Sequence, residues 1–181
     1  MLPIGLLMIE HRLIERLIAV MEKHAERIKK DKLTDIDFID NCVDFIKTYA
    51  DRCHHGKEED ILFRDLRKKK LSDKHLATLN ELIDEHNYVR NLTAKLVDTK
   101  NKYFNATTEA EKQILAFEIY GHLRQLIDLY PKHLKKEEKE FFLPIMDYFS
   151  DKQKEEMLNQ FLEFDRKLIH EKYKKIIESY E

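Results

Sequence analysis

Four histidines interrupt helical stripes that are otherwise apolar. His54 and Glu58 stand among Val43, Ile46, Ala50, Ile61 and Leu62 at three- and four-residue steps. His11 falls between Leu7 and Ile14, and His86 between Ile83 and Val89. His133 and Glu137 follow Leu126 and Tyr130 and precede Phe141 at the same spacing. Imidazoles and carboxylates at positions that demand burial are costly to leave unpaired. Divalent ions supply the missing charge. Imidazole with carboxylate suits Fe, Mn, Zn or Ni, and the absence of thiolate from the set argues against a structural zinc site. His-x-x-x-Glu at 54–58 and 133–137 sets ring and carboxylate one turn apart, so one helix can serve both ions of a pair.

Helical periodicity runs almost end to end and provides the elements that must position these groups. A first helix covers about 4–30, and Thr34-Asp-Ile-Asp37 starts a second over about 35–69. Ser72 caps a third that runs to about 103. Thr108-Glu-Ala-Glu111 has capping-box spacing and opens a fourth over about 108–148, which Pro131 is expected to kink or split near Tyr130. A second such box, Ser150-Asp-Lys-Gln153, opens a last helix over about 151–179. Four long helices with short connections predict an all-α, up-down-up-down four-helix bundle over about 4–148, within a single domain spanning 1–181. The last helix carries Leu158, Phe161, Leu162, Leu168, Ile169, Ile176 and Ile177. That stripe needs a cover: the outside of its own bundle or, as the alternative, a second subunit in a homodimer.

In an antiparallel pair, two residues share a level when they are equidistant from the connecting turn. The midpoint of residues 11 and 54 is 32.5 and that of 54 and 86 is 70, both at expected turns. The midpoint of 86 and 133 is 109.5, a few residues past the turn expected at 104–107, a mismatch the irregularity at Pro131 is expected to absorb. The four histidines are thus expected at one level of the bundle.

Composition excludes other readings. Of 181 residues, 43% are hydrophobic, enough for one well-filled core, and only three are Gly and three Pro, too few for a hairpin-rich β fold. The 33 basic and 35 acidic side chains nearly cancel, with no basic stripe to bind nucleic acid. No apolar run approaches the ~20 residues of a membrane span, and the start lacks a basic leader. Cys42 and Cys53 are about three helical turns apart and cannot pair, so a cytoplasmic location is expected. Neither a nucleophile–base pair nor a phosphate loop is apparent. His24, His75 and His170 read as surface residues and His122 as a core histidine.

IEHRLIERL at 9–17, RCHHGKEEDILF at 52–63, IDEHNYVR at 83–90 and KHLKKEEKEFFLP at 132–144 together resemble the hemerythrin-like (HHE) cation-binding family. The resemblance covers about residues 4–148 and leaves the last helix outside. It implies a bundle holding two non-haem iron ions, with other divalent metals such as Zn or Mn able to substitute. His11, His54, Glu58, His86, His133 and Glu137 would be ligands, and Glu58 and Glu137 would bridge. Members bind or sense oxygen, nitric oxide or iron; the alternative within the resemblance is a di-iron redox enzyme acting on nitric oxide or peroxide, or repairing iron centres. The family's oxygen carriers place His-x-x-x-His on the third helix, whereas Leu82 and Arg90 flank His86 here. His55, three residues before Glu58, is the expected replacement, with Glu15 and Glu59 as alternatives.

Overall fold

A computed structural model describes the backbone of residues 2–178 and the side chains of residues 2–168. Helix α1 spans Ile4–Asp31 and stops where Lys32 turns left-handed (φ 56°), its N–H still reaching the Ile28 carbonyl. Helix α2 spans 36–66, and its start is capped by the Asp35 carboxylate, which accepts from the Phe38 N–H at 3.2 Å. The cap therefore falls one residue after Thr34. Helix α3 spans Asp73–Asn105 under a Ser72 cap. Helix α4 begins at Glu109 under a Thr108 cap and continues to Tyr148. Helix α5, Asp151–Glu178, opens on a reciprocal box: Gln153 N–H donates to Ser150 Oγ and Ser150 N–H to Gln153 Oε1. Among the described residues there is no strand, and no helix is long and apolar enough to cross a membrane.

Helices α1 to α4 pack in sequence as an up-down-up-down four-helix bundle, with α4 closing back on α1. Two apolar layers fill it. Ile14, Ile18, Met21, Ile39, Ile46, Leu92, Leu96 and Leu126 lead the layer toward the α1–α2 and α3–α4 turns. Leu7, Leu62, Phe63, Leu82, Phe141 and Phe142 lead the layer at the opposite end. The stripe residues between those layers are the histidines and glutamates singled out above.

Two features depart from the expected helices. First, α2 is π-helical over Ile46–His55 and Glu58–Phe63, and α4 over Glu137–Phe141. The wider i→i+5 turn rotates less per residue, so neighbouring side chains stay closer in direction than the 100° of an α-helix. Second, α4 is not split at Pro131; its α-helical part runs unbroken over Glu109–Lys136. The irregularity comes six residues later, as the π turn at Glu137.

Helix α5 covers the π-helical part of α2. Met157 and Phe161 are buried against Phe63, Phe142 and Phe149 in the second layer. Leu162, expected on the covered stripe, is exposed, and Leu158 and Leu168 are half-buried. Ile169, Ile176 and Ile177 lie outside the residues with described side chains, as does His170.

Candidate metal centre

His11 comes from α1, His54, His55 and Glu58 from α2, His86 from α3, and His133 and Glu137 from α4. All seven are buried. The structure gathers them into two groups: His55, His86 and His133 in one, and His11, His54, Glu58 and Glu137 in the other, each with ligand atoms within 4.8 Å of one another. The His86 and His133 rings come within 5.0 Å of each other without a break at Pro131. Helical side chains lean toward their own N-terminus, and on these antiparallel helices that lean brings the two rings to a common level.

His55 enters the centre because α2 is π-helical there. Its ring stacks on His86 with centroids 3.8 Å apart, while the His54 ring meets His11 at 4.7 Å. Adjacent residues thus serve opposite groups. Glu15 takes no part: it is half-exposed and pairs with Arg12. Glu59 stands outside the ring of imidazoles, accepting from His86 Nδ1 at 2.7 Å.

Each imidazole donates Nδ1–H to a carboxylate. The partners are Glu138 for His11 (2.9 Å), Glu10 for His54 (2.9 Å), Asp51 for His55 (3.3 Å), Glu59 for His86 (2.7 Å) and Glu85 for His133 (2.7 Å). An ionised carboxylate only accepts, so each ring, when neutral, is held in the tautomer that turns an unprotonated Nε2 to a metal. Four of these acids form a relay around the bundle, from α4 to α1, α1 to α2, α2 to α3 and α3 to α4. Each sits beside a candidate ligand on its own helix and steadies a ring on the next.

The inward-facing atoms lack what they need. All four carboxylate oxygens of Glu58 and Glu137 are buried without a hydrogen bond, as are Nε2 of His86 and of His133. His11 Nε2 and His54 Nε2 face each other at 3.0 Å. Glu58 turns one oxygen to His54 Nε2 (3.4 Å) and the other to His86 Nε2 (3.4 Å). Glu137 does the same with His11 Nε2 and His133 Nε2, both at 3.3 Å. Nitrogen and oxygen lone pairs that converge in a buried space fit divalent cations, and no other described group satisfies them.

Protonation in the metal-free protein follows from the same crowding. Burial, outweighing the Glu10 hydrogen bond, pushes His54 down to about 4. Burial and the neighbouring imidazoles put His55 well below the usual histidine range. His133 is also penalised by burial, yet the Glu137 charge lifts it to about 9. Burial and the nearby Glu137 carboxylate raise Glu58 well above its usual range; burial opposes ionisation of Glu137 too, but His133 and His11 hold it well below.

Sequence reasoning passes over Glu10, Asp51, Glu85 and Glu138 as ring partners, and over Lys57, a fully buried cation. The available signal was an acid adjacent to a candidate ligand, as in Glu10-His11, Glu58-Glu59, Glu85-His86 and Glu137-Glu138. His24 and His75, expected on the surface, are half-buried. His24 stacks on Phe38 with centroids 3.5 Å apart, and His75 Nδ1 lies 2.9 Å from the Tyr148 hydroxyl. His122, expected in the core, is half-buried, with Nε2 3.2 Å from Thr99 Oγ1. Cys42 and Cys53 are free and buried, and burial pushes both thiols up to about 12.

A four-helix bundle with histidines and glutamates converging between two apolar layers defines a cation-binding helical protein. The chain belongs to the hemerythrin HHE cation-binding domain family, whose model matches residues 2–144. Neither a curated protein nor a solved structure matches the chain.

Proposed function

We propose that the bundle holds two non-haem iron ions and that the protein binds or senses a small diatomic ligand such as oxygen or nitric oxide. His55, His86 and His133 would hold one iron, His11 and His54 the other, with Glu58 and Glu137 shared between them. The observation that carries this reading is that each glutamate turns one oxygen toward each histidine group. Two carboxylates offset half of the charge that two divalent ions bring. Three imidazoles on one side and two on the other make the halves unequal, so one ion has fewer protein ligands than its neighbour. When bound, the iron pair supplies a one-electron couple at each metal and an open coordination position. The chain's own groups fix the five rings through their Nδ1 protons and exclude bulk water with Leu7, Phe63, Phe141 and Phe142, all buried.

Elemental analysis of protein made in iron-replete cells is expected to give close to two irons per chain, and the optical spectrum of the reduced protein to change reversibly on exposure to oxygen or nitric oxide. No transition metal in the purified protein, with stability indifferent to chelators, would overturn the metal reading. Catalytic consumption of nitric oxide or peroxide would move the assignment to a redox enzyme.

A further inference from the structure

Each acid that steadies an imidazole is itself held by a cation. Arg12 pairs with Glu138, Arg90 with Asp51 and Glu59, Lys136 with Glu85, and Lys57 with Glu10. Lys57 differs from the other three in burial. The side chains of Arg12, Arg90 and Lys136 are 54%, 34% and 18% exposed, whereas that of Lys57 is 0% exposed. It also differs in reach, because its Nζ donates to Asp165 Oδ1 of α5 at 2.6 Å. A hydrogen-bonded line thus runs from α5 into the centre: Asp165, Lys57, Glu10, His54 Nδ1.

A second contact is made one residue away. A Cβ on Gly56 would come 2.7 Å from Cζ of Phe164, so the Phe164 ring of α5 lies directly on the Gly56 backbone of α2 and would have to shift for any larger residue. Gly56 sits between His55 and Glu58, within the segment that supplies three of the seven inward groups. Helix α5 therefore bears on the centre by packing and by a line of charge, while the family match ends at residue 144.

We infer that Lys57 and Asp165 are positioning residues through which the C-terminal helix tightens the His11–His54 half of the centre and leaves the His55–His86–His133 half alone. Asp165 fixes the Lys57 ammonium, the ammonium orients Glu10, and Glu10 holds the His54 ring with Nε2 facing inward. Undocking α5 removes Asp165 and opens Lys57 to water, so the hold on Glu10 slackens. The other four rings keep partners and cations drawn from the four-helix bundle. This inference rests on the two-metal reading above.

The test uses the full-length, iron-loaded chain with Asp165→Asn, Lys57→Met and Asp165→Glu, following iron per chain and the visible spectrum during chelator challenge. Asp165→Asn and Lys57→Met are expected to release one iron at least about tenfold faster than wild type while the second leaves at the wild-type rate; loss of an outer partner weakens metal binding by about that factor. Asp165→Glu, which keeps the charge, should restore most of the retention. Equal acceleration for both irons would mark a general loss of structure and overturn the inference, as would wild-type release from Asp165→Asn. A wild-type chain that takes up two irons while the variants behave like it sinks the inference alone. Failure of the wild type to take up two irons sinks the two-metal reading and this inference with it.

Discussion

His54 and His133 differ in what a proton does to them. His54, held near 4 in the folded chain, takes up its proton in the unfolded chain near the ordinary 6.5. The unfolded state binds more protons between those values, so stability of the metal-free protein falls as pH drops from about 6.5 toward 4. His133, lifted to about 9, has the opposite sign: its contribution is complete below about 6.5 and is lost as pH rises through about 9. Urea midpoints of the metal-free protein across pH 4–9 are expected to decline on both flanks. Substitution separates the rings further. His54→Ala takes away the buried ring between Glu10 and Glu58 and is expected to lose metal and about 1–3 kcal/mol of stability, the cost of leaving buried polar partners unmatched. His24→Ala and His75→Ala should keep the full metal content and lose only the Phe38 stack or the Tyr148 hydrogen bond, about 1 kcal/mol each. Metal content and melting curves of the three variants check this; metal loss from His75→Ala would refute the assignment.

At the scale of the element, the π turns decide what α2 can present. A regular α-helix would direct His54 and His55 about 100° apart, whereas on the π-helical α2 both rings are buried inside the bundle, His54 against His11 and His55 on His86. Helix α5 covers the outer face of that segment. Phe161 is fully buried in the layer beneath the centre, so Phe161→Ala should cost about 3–5 kcal/mol, and Leu162→Ala, half exposed next to it, less than about 0.5 kcal/mol. Denaturant titration of the two variants checks the pair. Equal effects would mean that α5 is not packed on the bundle through Phe161.

For the whole molecule, metal binding and folding are one equilibrium. Burial and the Glu137 charge oppose ionisation of Glu58 in the metal-free protein, and no described side chain hydrogen-bonds the oxygens of either glutamate. A ligand that binds the folded state alone stabilises it by about 2.7 kcal/mol per site at a hundredfold excess over Kd. Chelation should therefore lower the melting temperature by several degrees, and adding iron back should restore it in proportion to occupancy. A melting temperature that ignores both treatments would contradict metal-linked folding. The apolar layers above and below the centre are built from side chains other than the candidate ligands, so the chelated protein is expected to remain helical by far-ultraviolet circular dichroism.

Local chemistry made much of this legible in the sequence. Three-residue and four-residue spacing, capping side chains at Ser72, Thr108 and Ser150, and scarce Gly and Pro dictate five helices, because those signals act within a turn or two of the chain. Histidine and glutamate on apolar stripes mark the inward positions for the same reason. Other features depended on neighbours remote in the chain. A 3.6-residue period cannot register the π turns, so the sequence offers His55 as the expected replacement with Glu15 and Glu59 as alternatives, and only the packed helices turn it onto His86. Glu10 and Glu138 read as ordinary helix acids, since nothing local shows that one serves a ring 44 residues away and the other a ring 127 residues away. Lys57 reads as a solvated lysine; only the docking of α5 buries its ammonium between Glu10 and Asp165. The sequence alone determined which helices form and which faces carry the donors, because those follow from interactions a few residues long. Tertiary structure decided which donors meet and what holds each in place, because those contacts exist only once the helices have packed.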